Sequence, residues 1–190
     1  FVGLDGNIYT MNQAGKDLVN ITLDASLSTD EDSTHSYFYP TWSPDGNHLA
    51  FIGFYKKSGR KPEVSIYTAG SDGANVTNIY SDLEHQPFYL YWLPNSKELS
   101  FLSGNPNDKW FTLEIVPAEG GETYAVGRGA PFYWAWSPNS ETLATNSSSL
   151  AESGTVTGRL AVVRIQPQLQ QNILAIRPSV FQSPVFSPDG

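Results

Sequence analysis

The chain has 190 residues, of which 39% are hydrophobic, 13% aromatic and 16% charged, the profile of a folded chain that can bury a core. Nineteen acids against 11 Lys and Arg give a formal charge of -8, without the basic footprint expected of a nucleic-acid or anionic-lipid binder. There is no Cys, so disulfides, thiol nucleophiles and thiolate metal sites are excluded while the redox compartment stays open, and no apolar run of about 18 residues predicts a membrane span.

Five Trp, 10 Tyr and 10 Phe with 16 Gly and 13 Pro, and little helical periodicity, predict an all-β chain. Phe1-Val2-Gly3 reads as part of a strand with no signal-like segment, and residues 1–25 read as a partial unit. A full unit is expected over 37–80. Its strands are Phe38 to Ser43, His48 to Phe54, Glu63 to Thr68 and Asn75 to Tyr80. Pro44-Asp45-Gly46 and Gly70-Ser71-Asp72-Gly73 are its turns, Pro fixing φ and Gly accepting a positive one. Two more units follow over 87–127 and 131–176, with third strands at Trp110 to Val116 and Arg159 to Ile165, and 180–190 reads as the first strand of a further unit.

These units are copies of one another. Trp42-Ser43-Pro44-Asp45-Gly46 returns as Trp92-Leu93-Pro94-Asn95-Ser96, Trp136-Ser137-Pro138-Asn139-Ser140 and Phe186-Ser187-Pro188-Asp189-Gly190, at spacings of 50, 44 and 50 residues. Each Trp is preceded by a Phe-Tyr pair (Phe38-Tyr39, Phe88-Tyr89, Phe132-Tyr133) and followed seven residues later by a Leu (Leu49, Leu99, Leu143). A period of this length with four short strands per unit is that of a propeller blade. Phe51-Ile52-Gly53 matches Phe1-Val2-Gly3, so the chain opens inside a second strand. The expectation is about four repeats, a fragment of a larger propeller of about six to eight blades, the alternative being four blades that close on themselves. Open edges would then invite self-association.

Trp42 to Phe51, with the later Ile66-Tyr67 and Gly70 to Gly73, resembles the repeat of TolB-like propellers, also called WD40-like or PD40 repeats, and the resemblance runs over the whole chain. It implies blades of four antiparallel strands and, by resemblance alone, a periplasmic or extracellular location. It implies little about the task. Asn95-Ser96 and Asn139-Ser140 depart from the Asp-Gly pair, and Gln182-Ser183 and Phe186 depart from the Phe-Tyr and Trp of the other units.

No Gly-x-Ser-x-Gly elbow and no phosphate-binding Gly-rich loop occurs, so no catalytic residue and no cofactor is expected. Blade topology puts the second-to-third loops and the inter-blade connections on one face. Leu27 to Ser36, Tyr55 to Pro62, Gly104 to Lys109 and Asn146 to Gly158 are its long segments, and such loops are where binding usually resides. His35 and His85 each lie seven residues before a Trp, next to Asp30 to Asp32 and to Asp82 and Glu84. Either His35, His85, Asp32 and Glu84 hold a divalent metal or cationic ligand, or the histidines order loops beside a solvated acidic run. Lys56, Lys57, Arg60 and Lys61 would meet an acidic partner or stay solvated. The repeated aromatics are expected to pack between blades, while Tyr91 and Trp134, which lack an aromatic counterpart in every unit, are the aromatic candidates for ligand contact. The functional expectation is a non-catalytic module binding a protein or peptide through the long-loop face. The alternatives are the propeller of a prolyl-oligopeptidase-like peptidase gating substrate access, or a carbohydrate-binding propeller.

Overall fold

The computed structural model describes residues 1–27, 32–105, 107–130, 132–150, 156–165, 168–174, 178–179 and 181–190. Three four-stranded antiparallel sheets follow one another along the chain as simple meanders. The first holds β3 (Ser33–Trp42), β4 (His48–Lys57), β5 (Glu63–Gly70) and β6 (Thr77–Ser81). The second holds β7 (Gln86–Trp92), β8 (Glu98–Gly104), β9 (Phe111–Pro117) and β10 (Tyr124–Gly129), and the third β11 (Phe132–Trp136), β12 (Thr142–Leu150), β13 (Val156–Arg164) and β14 (Gln170–Ile173). Ahead of them β1 (Tyr9–Thr10) pairs with β2 (Val19–Asn20), and Val2 and Ile8 form an isolated antiparallel bridge. Among the described residues no helix is long and apolar enough to cross a membrane.

Period-2 alternation sends successive residues of each central strand into different interfaces. Leu49 and Phe51 point with Ala69 toward Ile8 and Ile21, whereas Ala50 and Ile52 point with Val64 and Ile66 toward Leu99, Phe101 and Val116 of the next sheet. Leu102, Leu113 and Ile115 in turn meet Phe132, Leu143 and Val163. The first two sheets are therefore apolar on both faces, and the third packs one apolar face against the second, which is how propeller blades stack. Phe101 is fully buried, and its truncation to Ala costs about 3–5 kcal/mol.

The repeated pentapeptide does two jobs. Within a blade, Ser43 Oγ donates to Asp45 (2.6 Å) and accepts from His48 N–H (3.0 Å), and Asn47 N–H donates to Asp45 Oδ1 (3.0 Å). Ser137 and Asn139 repeat the same bonds. Between blades, Asp45 N–H donates to Ser96 Oγ (3.0 Å) and Asn95 N–H donates to Ser140 Oγ (2.9 Å). The Ser that stands in place of Gly is thus a clasp to the preceding blade. It is held at φ 59 for Ser96 and 62 for Ser140, the left-handed region that Gly46 enters at φ 73 without a steric penalty. Trp side chains add a second tie, Trp92 Nε1 donating to Thr41 O (3.2 Å) and both Trp134 and Trp136 Nε1 to the buried Ser100 Oγ (3.0 Å each).

Several connections are shorter than the sequence suggests. Strand β4 runs to Lys57 and β3 begins at Ser33, so His35 and Tyr55 face each other in a ladder. The segment Asn146 to Gly158 was expected as a loop, yet its described part is a hairpin, Asn146 pairing with Leu160 and Leu150 with Val156. Asn146 and Ser148 are buried in this hairpin, not set in a turn.

Candidate functional site

The first strand of each sheet is an edge strand, and β3 and β7 carry the same irregularity. The β3–β4 ladder slips between Phe38 and Thr41, and the β7–β8 ladder slips between Phe88 and Tyr91. A bulge of one residue is the cause, and it places Tyr39 at φ 54 and Tyr89 at φ 55. A bulky side chain in the left-handed region costs about 1–2 kcal/mol. The corresponding β11–β12 ladder is regular, and Tyr133 has no positive φ.

The bulge turns these tyrosines out of the core. Tyr39 is 71% exposed, Tyr89 60% and Tyr91 52%, while Phe88 beside them packs into the interface at 4.9 Å from Phe111. The expectation that the repeated aromatics pack between blades thus holds for Phe38, Phe88 and Phe132, and fails for Tyr39 and Tyr89. Two neighbours in an extended strand cannot both face the same interface, and the added bulge residue decides which one leaves.

The exposed rings bound two adjacent hollows. One, of about 430 Å³, lies between Tyr39, Pro40 and Thr41 on β3 and Tyr89 and Tyr91 on β7. The other, of about 170 Å³, has Phe88, Leu102, Phe111 and Phe132 in its lining and continues from Tyr89 and Tyr91 to Trp134. Tyr91 and Trp134, singled out separately in the sequence, meet here edge to face with ring centroids 5.5 Å apart. Ser100 Oγ holds the Trp134 indole N–H, which fixes the ring in place. Among the described residues no charged side chain lines either hollow. The groove offers flat apolar faces with phenol hydroxyls at their rims. Such a surface can hold rings, proline or aliphatic side chains of an extended segment.

The histidines lie elsewhere. His35 pairs with Asp24 and His85 with Asp82, each at 3.4 Å between Nδ1 and a carboxylate oxygen. Asp24 and Asp82 occupy equivalent places after the fourth strand of successive blades, so this is one Asp-His couple used twice. Asp82 also accepts from the backbone N–H groups of Glu84 (2.7 Å) and His85 (3.0 Å); burial works to raise its pKa, and these bonds hold it below the ordinary carboxylate value. Tyr37 donates to Asp24 (2.9 Å), and burial followed by that carboxylate pushes its ionisation well above the ordinary value near 10. The other proposed metal ligands stand apart from these couples. Glu84 pairs with Lys61 at 2.6 Å, Asp32 is exposed and gives its carbonyl to Ser58 N–H, and Asp30 and Glu31 lie outside the described residues. Among the described residues no group of three or more His, Asp or Glu side chains is placed to hold a metal ion. Lys56, Lys57 and Arg60 are exposed at the end of the β4–β5 hairpin and pair with none of the described carboxylates.

No family model matches the chain, and no curated protein matches it in sequence. Solved structures do. The β-propeller domain of the Trilobed protease from Pyrococcus furiosus is similar at 14% identity and TM-score 0.54, over 91% of this chain and 53% of that one. TolB from Acinetobacter baumannii is similar at 14% identity and TM-score 0.52, over 97% and 52%. An oligogalacturonate lyase from Vibrio parahaemolyticus is similar at 13% identity and TM-score 0.56, over 100% and 55%. At such identities the likeness is one of fold: the chain has the blade architecture of a β-propeller, and it spans about half the length of these structures.

Proposed function

We propose that the chain is a non-catalytic propeller module that binds an extended protein or peptide segment along the aromatic groove of its first-strand edge. The observation that carries this reading is the pair Tyr39 and Tyr89, strained at φ 54 and 55 yet largely exposed. Each ring packs only on its own strand's neighbours, Tyr39 on Phe38 and Tyr89 on Phe88 and Tyr91, and backbone strain of this kind collects at sites of function. Tyr91 and Trp134 complete the surface, and aromatic rings of this kind dominate the energetics of protein interfaces. The resemblance to TolB-like repeats adds a periplasmic or extracellular partner to the proposal. The Lys56, Lys57 and Arg60 hairpin tip is a second contact for an acidic part of that partner, on the loop face.

The test is selection of displayed random peptides on the folded chain, followed by challenge of the enriched pool with Tyr39→Gly/Tyr89→Gly protein. Enrichment of proline- and aromatic-bearing peptides that the variant no longer retains supports the reading. A pool retained equally by the variant, or no enrichment over uncoated surface, refutes it.

A further inference from the structure

A second cleft, sharing no residue with the aromatic groove, opens between consecutive blades on the long-loop side. It encloses about 470 Å³, within the range of ligand pockets. Asp82 and His85 from the β6–β7 connection lie on one side of it; Asp108, Lys109 and Trp110 from the β8–β9 connection and Glu114 and Arg128 from β9 and β10 line the rest. The carboxylates are already engaged in part. Asp82 takes two backbone N–H bonds, Asp108 accepts from Asn105 N–H (3.0 Å), and Glu114 accepts from Ser103 Oγ. Lys109, Arg128 and the half-buried Trp110 have no side-chain partner among the described residues.

From this lining we infer that the cleft is a binding site for a neutral saccharide. Three carboxylates, two permanent cations and an imidazole are nearly balanced in charge. A charged ligand of either sign would meet a like charge at close range, at a cost that falls away for an uncharged one. What the lining suits is a ligand with many hydroxyl groups, which donate to the carboxylates while their oxygens accept from Arg128 and Lys109. The half-buried indole of Trp110 in the lining supplies an apolar face on which the C–H side of a sugar ring can stack. A bound divalent ion is a poorer occupant, since among the described residues no three ligating side chains are placed to hold one.

The experiment is titration of the folded chain with maltotriose, cellotriose and N-acetylchitotriose, followed by amide NMR shifts, with trigalacturonate and trilysine as charged controls. The expected result is saturable shifts from at least one neutral trisaccharide at about 10 mM or below, confined to the cleft lining at residues 80–85, 103, 108–114 and 123–128, with affinity lost at least about tenfold in Trp110→Ala and in Arg128→Gln. Arg128 is exposed, so its replacement tests the site without disturbing the core. Absence of shifts from all three sugars, equal affinity in Arg128→Gln, or tighter binding of either charged control overturns the inference. Since the two sites use different residues, failure here leaves the peptide groove standing, and the reverse.

Discussion

Replacing Tyr89 by Gly and, separately, by Ala removes the same ring but treats the backbone differently. Ala retains the φ of 55 and its steric cost of about 1–2 kcal/mol, whereas Gly adopts that conformation freely. Gly also loosens the unfolded chain, which takes back about 0.4–1 kcal/mol. Tyr89→Gly is therefore expected to be more stable than Tyr89→Ala by about 0.5–1 kcal/mol, a melting difference of about 2–4 °C per kcal/mol for a chain of this size. Tyr133 supplies the control. It holds the corresponding place in the third sheet, in a regular ladder without positive φ, so there the order reverses and Gly falls below Ala by about 0.5–1 kcal/mol. Urea unfolding of the four variants, followed by Trp fluorescence, measures both differences. If Gly is no better than Ala at position 89, the tyrosine is not strained and its exposure needs no binding role.

Ser96→Ala removes the clasp to Asp45 N–H and keeps the unfavourable φ, so it loses about 1 kcal/mol; adding Ser140→Ala at the next interface roughly doubles the loss in the same unfolding assay. Burial first, and then neighbouring carboxylates, raise the ionisation of Tyr37, Tyr80 and Tyr124 above 10, so the folded chain favours their protonated forms. That contribution is complete below pH 10 and lost as pH rises through the higher folded values; tyrosinate absorbance of these three should appear only with unfolding, and a reversible rise while the fold persists contradicts it. Gly53→Ala would put a Cβ 2.6 Å from the Tyr67 ring and 3.2 Å from that of Tyr37, an overpacking cost of about 1–3 kcal/mol read from the melting temperature.

The blade plan was legible because it rests on local signals that recur: alternation, the Trp-Ser-Pro-Asp-Gly turn, and the Leu seven residues on. Residue types were enough to bring Tyr91 and Trp134 forward, since each breaks the aromatic pattern of its unit. Tyr39 and Tyr89 were hidden by the same repetition that revealed the fold. Their recurrence reads as packing, and only the one-residue slip in the ladders, set by pairing across strands, turns them outward. The role of Ser96 and Ser140 was equally out of reach, because the partner of each lies 51 and 45 residues away on another blade. The Asp-His couples show the opposite limit. Spacing from the Trp set His35 and His85 at matching places with acids close before them, of which the folded chain pairs Asp82 with His85, while the partner of His35 is Asp24, 11 residues upstream and outside the acidic run.

The most direct test of the binding account compares two sets of variants against one selected peptide in solution. Affinity is measured by fluorescence anisotropy for the unaltered chain, for Tyr91→Ala in the groove, and for Lys56→Gln/Lys57→Gln/Arg60→Gln at the hairpin tip. The account predicts at least about a tenfold loss for the groove variant and no more than about twofold for the hairpin triple. A tenfold loss confined to the triple would place recognition on the loop face and contradict it.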